Sequence, residues 1–264
     1  MLLTLDIGNT RTKWAVFSLA GKVTEQGIFL NADLANADFS PSRLGYQRVV
    51  ISNVAGTALA SLMTKKLATY ALPVTFIKST SQACNVSNHY LPSASLGTDR
   101  WAALIAAWQL KKAPCIVVNA GTAVTIDALT VDTSNNEGLF LGGLILPGLD
   151  LMKTSLGEAT AQLPKINPAN ASANSVTFFA TNTAEAIQAG AHNAVLGAIT
   201  RMSTALQEKC GATPTIVISG GNAPVIAEQL QLTSELGVSV VENLVLQGLY
   251  QLDYFMENDL SWDC

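Results

Sequence analysis

An α/β fold made of two duplicated halves, each running βββαβα, is predicted from three features of the sequence. A polar turn flanked by two apolar runs occurs twice, around Asp6 and again around Asn119. Each occurrence opens a stretch in which strand-like runs come first and helical and strand-like runs then alternate. The two turns lie 113 residues apart, from position 6 to position 119, close to half of the 264 residues. Such a spacing marks an internal duplication. The halves are expected at 1–114 and 115–264.

The first turn, Asp6-Ile7-Gly8-Asn9-Thr10, sits between two strand-like runs. Gly8 lets the backbone approach an anion, Asn9, Thr10 and Thr12 offer donors, and Lys13 brings positive charge. A phosphate fits such a turn. Asp6 would repel that phosphate unless a cation bridges the two, so the pattern suggests Mg²⁺. Residues 22–30 read as a third strand and 48–52 as a buried fourth, while Leu59, Leu62 and Met63 give 56–67 helical spacing and 73–77 returns as a strand. Between 79 and 96 the chain is polar and irregular, a candidate lid. A helix is expected from 97 through 110, closed by Lys111 and Lys112 and followed by Pro114. Asp99 at its start could simply cap it, worth about 1 kcal/mol. Capping does not account for Arg100 beside it or for the backbone access given by Gly97, so a catalytic carboxylate stays open as the alternative.

In the second half, strand patterns run through 116–131, turn at 134–138 and resume over 139–148, where Gly142 and Gly143 imply close backbone approach. Residues 161–170 read as a loop. Asn182 with Glu185 three positions on is a capping-box pattern opening a long helix whose apolar face holds Val195, Ile199, Met202 and Leu206, and Gly211 ends it. A strand at 215–219 feeds Gly220-Gly221, either a seat for a flat ring or phosphate or a plain tight turn. The amphipathic stretch 243–256 is expected to pack across the two halves, and 258–264 reads as a tail.

Composition excludes several classes. Apolar residues make up 49% and charged ones only 13%, about half the usual share of charge. So little charge implies an apolar subunit interface. A net charge of −4 without a basic stretch argues against nucleic acid as a partner. Cys84, Cys115, Cys210 and Cys264 form no close pair, and His89 and His192 lack ligand spacing, so reduced thiols are expected and a zinc site is not. No run is long and apolar enough for a membrane span, and a cytoplasmic location is expected.

Two phosphate turns, one from each half, resemble the pair with which the actin, hexokinase and Hsp70 ATPase superfamily holds ATP in an interdomain cleft. That resemblance implies ribonuclease H-like, actin-like halves around a nucleotide cleft. The combination of Asp6-x-Gly8-Asn9-Thr10 with Lys13, Tyr90 before Gly97-Thr98-Asp99-Arg100, Ala120-Gly121-Thr122, Gly142-Gly143 with Pro147-Gly148, and Ser219-Gly220-Gly221 resembles the type III pantothenate kinases over nearly the whole chain. The resemblance implies phosphorylation of pantothenate at its primary hydroxyl by ATP, the first step of coenzyme A synthesis. Carried over by position, Asp6, Ile7, Gly8, Asn9, Thr10, Arg11, Thr12, Lys13 and Thr122 would bind ATP. Tyr90, Gly97, Thr98, Asp99, Arg100 and Thr183 would contact pantothenate, with Asp99 as the base. It further implies a homodimer whose partner chain completes the pocket, and a need for Mg²⁺ together with K⁺ or NH₄⁺. Where the family places an aspartate toward the monovalent cation, this chain has Asn119. One negative charge is missing there, and a unit pair at 4 Å is worth about 4 kcal/mol at an effective dielectric near 20. A superfamily kinase with another acceptor, or a silent nucleotide-binding regulator, remains open on the sequence alone.

Overall fold

The computed structural model of the chain describes residues 1–159 and 177–258. The loop expected over 161–170 lies outside the described residues, as does the tail beyond Asn258. Two compact units form, Met1–Leu110 with Asn243–Cys264, and Lys111–Glu242. The expected halves, 1–114 and 115–264, differ from these units mainly in the C-terminal stretch, which joins the first.

In the first unit β1 (Leu2–Ile7), β2 (Arg11–Phe17) and β3 (Val23–Leu30) form an antiparallel meander. A 3-10 turn at Asn31–Asn36 and α1 (Pro41–Leu44) lead to β4 (Arg48–Asn53), α2 (Thr57–Ala68) and β5 (Val74–Phe76). The sheet order is β3-β2-β1-β4-β5, with β1, β4 and β5 parallel. Alternation explains the layering: Leu3, Leu5 and Ile7, Trp14 and Val16, Val49 and Ile51 share one face and pack with Leu34, Phe39, Met63 and Leu67. Part of the stretch expected to be irregular is the short hairpin β6 (Gln82–Ala83) and β7 (Val86–Asn88), which leads to α3 (Thr98–Lys111).

Every residue from Arg100 to Trp108 of α3 is buried, as expected of a helix enclosed on all sides. The last helix lies against it. A Cβ at Gly248 would fall 1.8 Å from the Ala102 carbonyl oxygen, so only glycine permits this crossing. Arg48 fixes the same helix through Asp253 at 2.6 and 2.7 Å and Glu257 at 2.7 Å.

The second unit contains β8 (Cys115–Ala120), β9 (Ala123–Asp132), β10 (Glu137–Pro147), α4 (Leu149–Ala159), α5 (Thr183–Cys210), β11 (Thr215–Ser219), α6 (Ala223–Thr233) and β12 (Val238–Val240); α7 (Leu244–Asn258) is the last helix already placed in the first unit. Its strands run β12-β11-β8-β9-β10, which repeats β5-β4-β1-β2-β3 strand for strand. The core joins Ile116, Val118, Val124 and Ile126 to Val195, Ile199 and Leu206 of α5 and Ile226 and Leu230 of α6. The Asn182 side chain accepts from the Glu185 N–H at 3.0 Å, and Gly211 closes α5 in the left-handed region, as the sequence signals required. Helix α4 was not expected, because the apolar run before it continues the strand pattern past Pro147-Gly148. Among the described residues no helix is long and apolar enough to cross a membrane.

Inside this unit His192 is buried, with Nδ1 2.9 Å from Gln229 Oε1. Burial lowers its pKa below 6.5; the Gln229 bond opposes that shift, and Lys153 adds to it. The folded state therefore resists a proton that the unfolded chain accepts, so stability is full above the unfolded pKa and declines as pH falls below about 6.5. Urea unfolding of wild type should weaken between pH 7 and 5 by more than that of His192→Gln; equal losses would exclude the histidine as the cause.

Candidate active site

The first turn is built by strand register. Asp6, next to last in β1, pairs with Lys13 of β2 on one side and Ser52 of β4 on the other. Ile7 is buried, whereas Asn9, Thr10 and Arg11 are exposed, and the Gly8 N–H donates to the Arg11 carbonyl at 3.1 Å. Asn9, Thr10 and Arg11 thus stand open to solvent, where polar groups of the turn can meet an anion. Thr12 behaves differently from its expected role: it is fully buried and its hydroxyl donates to Asn31 Oδ1 at 2.9 Å.

Asp6 Oδ1 is enclosed and accepts no hydrogen bond. Its carboxyl is pushed up from 3.8 to about 7, first by burial, then by the nearby charge of Asp99, with Lys13 opposing. A buried oxygen without a donor, on an acid that resists ionising, is suited to a hard cation, which would supply the missing charge compensation. Among the described residues no group of three or more His, Cys, Asp or Glu could hold a metal unaided. A cation at Asp6 would therefore need further ligands from phosphate oxygens or water.

At the start of α3 the Asp99 carboxylate folds back, Oδ1 accepting from the Arg100 N–H at 2.8 Å. Burial raises its pKa, against that hydrogen bond and the Arg100 charge. Both the cap-like bond and the proximity to Asp6 are present, so capping and catalysis are not exclusive. Gly97 makes the fold-back possible, since a Cβ there would lie 2.6 Å from Asp99 Oδ1. Gly97→Ala should consequently displace the carboxylate and lower turnover by about tenfold or more while the melting temperature changes little. Unchanged turnover in stopped assays would remove that role from Gly97.

Tyr90 and Arg100 come together, the buried guanidinium 5.4 Å from the ring centroid. Ser52, which no sequence motif singled out, is fully buried with its hydroxyl 2.9 Å from that of Thr98. It ties the end of β4 to the start of α3. Asp6, Lys13, Ser52, Thr98, Asp99, Arg100 and Tyr90 thus belong to the first unit. Asn31 was missed as well; its Nδ2 donates to the Gly8 carbonyl at 2.7 Å. Neither residue carries a motif, because Ser52 acts from β4 and Asn31 from the start of the 3-10 turn, each remote in sequence from the residue it bonds.

In the second unit Asn119, next to last in β8, pairs with Thr125 of β9 and Ser219 of β11, the counterpart of Asp6 between Lys13 and Ser52. Gly121, Thr122 and Ala123 are exposed. Two glycines crowd this turn: a Cβ on Gly148 would lie 2.3 Å from the Gly121 carbonyl oxygen, and one on Gly220 would lie 2.4 Å from that of Ala120. The Gly148 N–H donates to the Thr122 carbonyl at 2.9 Å. Thr183 stands apart on another element, exposed as the first residue of α5. Asn119 is itself an amide and its register partners Thr125 and Ser219 carry hydroxyls, so position 119 does not reproduce the acidic cation ligand that the resemblance implies.

Comparison with known proteins shows the family. Residues 2–205 match the family model described as type III pantothenate kinase. A type III pantothenate kinase of Methylobacillus flagellatus is 41% identical over 255 residues, covering 96% of this chain and 97% of the relative. Among solved structures, a Campylobacter jejuni chain described as a Baf family transcriptional activator superposes with a TM-score of 0.57 at 19% identity, over 97% of this chain and 98% of the other. A glucokinase from an Antarctic psychrotroph gives 0.50 at 13% identity over 96% and 98%. At such identities these two likenesses speak for the fold alone.

Proposed function

The chain belongs to the type III pantothenate kinase family, and on that footing we propose how its residues divide the work of phosphorylating pantothenate with ATP. The turn from Asp6 to Lys13 holds the phosphates of ATP, aided by Thr122. Asp6 would hold Mg²⁺ together with those phosphates, and the metal would supply positive charge to offset theirs. Arg100, buried against Tyr90, receives the pantothenate carboxylate, with Gly97, Thr98 and Thr183 lining the acceptor. Asp99 orients the primary hydroxyl and takes its proton. Phosphoryl transfer through a loose transition state needs alignment more than a strong base, and the raised pKa of Asp99 improves it as a late proton acceptor.

The observation that carries this reading is the juxtaposition of two enclosed carboxylates of unlike partners, Asp6 with a bare oxygen and Asp99 held by Arg100. Pantothenate-dependent ADP formation, with the product mass gaining one phosphoryl group, tests it. A panel of other hydroxy acids turned over in preference to pantothenate would overturn it.

A homodimer is part of the proposal. Ile145, Leu151, Phe178 and Phe179 are exposed, Phe179 at 89%, and Thr183 follows the two phenylalanines closely in sequence. Covering these side chains with a second chain would remove them from water. Light scattering should give twice the 27.7 kDa chain mass; a fully active monomer at assay concentration would rule the dimer out. A cytoplasmic setting accords with the free thiols of Cys115 and Cys210. For K⁺ or NH₄⁺ the amide at position 119 gives no support, and no step is assigned to a monovalent cation.

A further inference from the structure

Asn31 holds the first turn from outside it. Its backbone N–H donates to the Thr10 carbonyl at 3.1 Å, its Nδ2 to the Gly8 carbonyl at 2.7 Å, and its Oδ1 accepts from the Thr12 hydroxyl at 2.9 Å. Both ends of the amide are thereby used, one on each side of the exposed Asn9-Thr10-Arg11 segment. Thr12 is fully buried and its single hydroxyl proton is committed to Asn31, so that proton is not available to a phosphate oxygen. The turn cannot spread without breaking one of these bonds, so its exposed residues 9–11 are held in one shape before an anion arrives. Preorganisation of this kind lowers the entropy lost on binding.

We propose that Asn31 is a positioning residue for the nucleotide phosphates, acting through a clamp with Gly8 and Thr12, and that the Thr12 hydroxyl serves this clamp instead of the phosphate. The inference rests on the assignment of this turn to ATP.

Titration of Mg·ATP into wild type, Asn31→Ala, Thr12→Val and the double variant, with amide exchange of residues 8–12 measured without nucleotide, tests it. A hydrogen bond of this kind contributes about 1 kcal/mol, so each single change should weaken ATP binding by about fivefold. The double variant should be no weaker than the weaker single, because both remove one unit. Asn31→Ala should raise the KM for ATP while kcat at saturating ATP stays close to wild type, a split that general loss of structure would not produce. Turn amides should exchange faster in both singles.

Weakening by Thr12→Val with none by Asn31→Ala would mean that Thr12 bonds the phosphate itself and would overturn the clamp, as would additive losses or unchanged binding. If Asn31→Ala does not fold, exchange in Thr12→Val decides: faster exchange supports the clamp, and wild-type exchange overturns it. Failure of wild type to bind ATP would instead strike the nucleotide assignment, and the nucleotide-free exchange would still judge the clamp.

Discussion

Asp99→Asn should lose between about 10² and 10⁴ in turnover while keeping its melting temperature and its affinity for Mg·ATP. General-base catalysis is worth about that range. The amide of asparagine retains an oxygen that can accept from the Arg100 N–H, which Asp99 Oδ1 now does at 2.8 Å, so the helix start should survive. Its other group is a donor and cannot take the hydroxyl proton. A cap-only role predicts the opposite pattern, a change in stability of about 1 kcal/mol or less with turnover nearly intact. Single-turnover rates with saturating pantothenate, alongside calorimetric melting, separate the two. Turnover within a few-fold of wild type would mean that the proton passes to water or to the phosphate, leaving 97–100 as a substrate-positioning helix start.

Asp6→Asn should abolish most Mg·ATP affinity and, in the metal-free protein above neutral pH, raise stability. The folded pKa of about 7 stands above the ordinary carboxyl value of 3.8. Between those values the folded state keeps a proton that the unfolded chain releases. Stability therefore falls as pH rises through this window, and the whole cost, on the order of 4 kcal/mol, is present above about pH 7. Asparagine carries no charge to desolvate and does not repel Asp99, so the variant escapes that cost. With Mg·ATP the order should reverse, because wild type gains binding energy that the variant cannot, and kcat/KM for ATP should drop by about 10² or more. Melting at pH 8 with and without Mg·ATP reads both halves of the prediction. A folded variant that binds Mg·ATP like wild type would show that Asp6 does not serve the metal.

Much of this architecture was legible because its signals are local. The two turns, the capping pair Asn182 and Glu185, the stop at Gly211 and the alternating strands each lie within a few residues of one another. The elements that escaped notice lack such signals. Strand β12 has three residues, too few to show a period, and α4 begins within an apolar run that reads as strand. Ser52 and Ser219 show why the repeat was only partly visible. They stand in the same register beside Asp6 and Asn119, yet are 167 residues apart in the chain where the turns are 113 apart, so one fixed offset cannot align both pairs.

By itself the sequence determined the duplicated βββαβα pattern, the two glycine turns and the Gly97-Thr98-Asp99-Arg100 helix start, since periodicity, turn chemistry and helix signals act over short stretches. Only the tertiary structure decided which groups are enclosed and which are bonded. Asp6 Oδ1 is bare, Thr12 is spent on Asn31, Thr98 meets Ser52, and α7 seats on α3 through Gly248. Each of these depends on strand register or helix crossing between segments far apart in sequence. Burial, and with it the raised pKa values of Asp6 and Asp99, is a property of the packed molecule that no local pattern encodes.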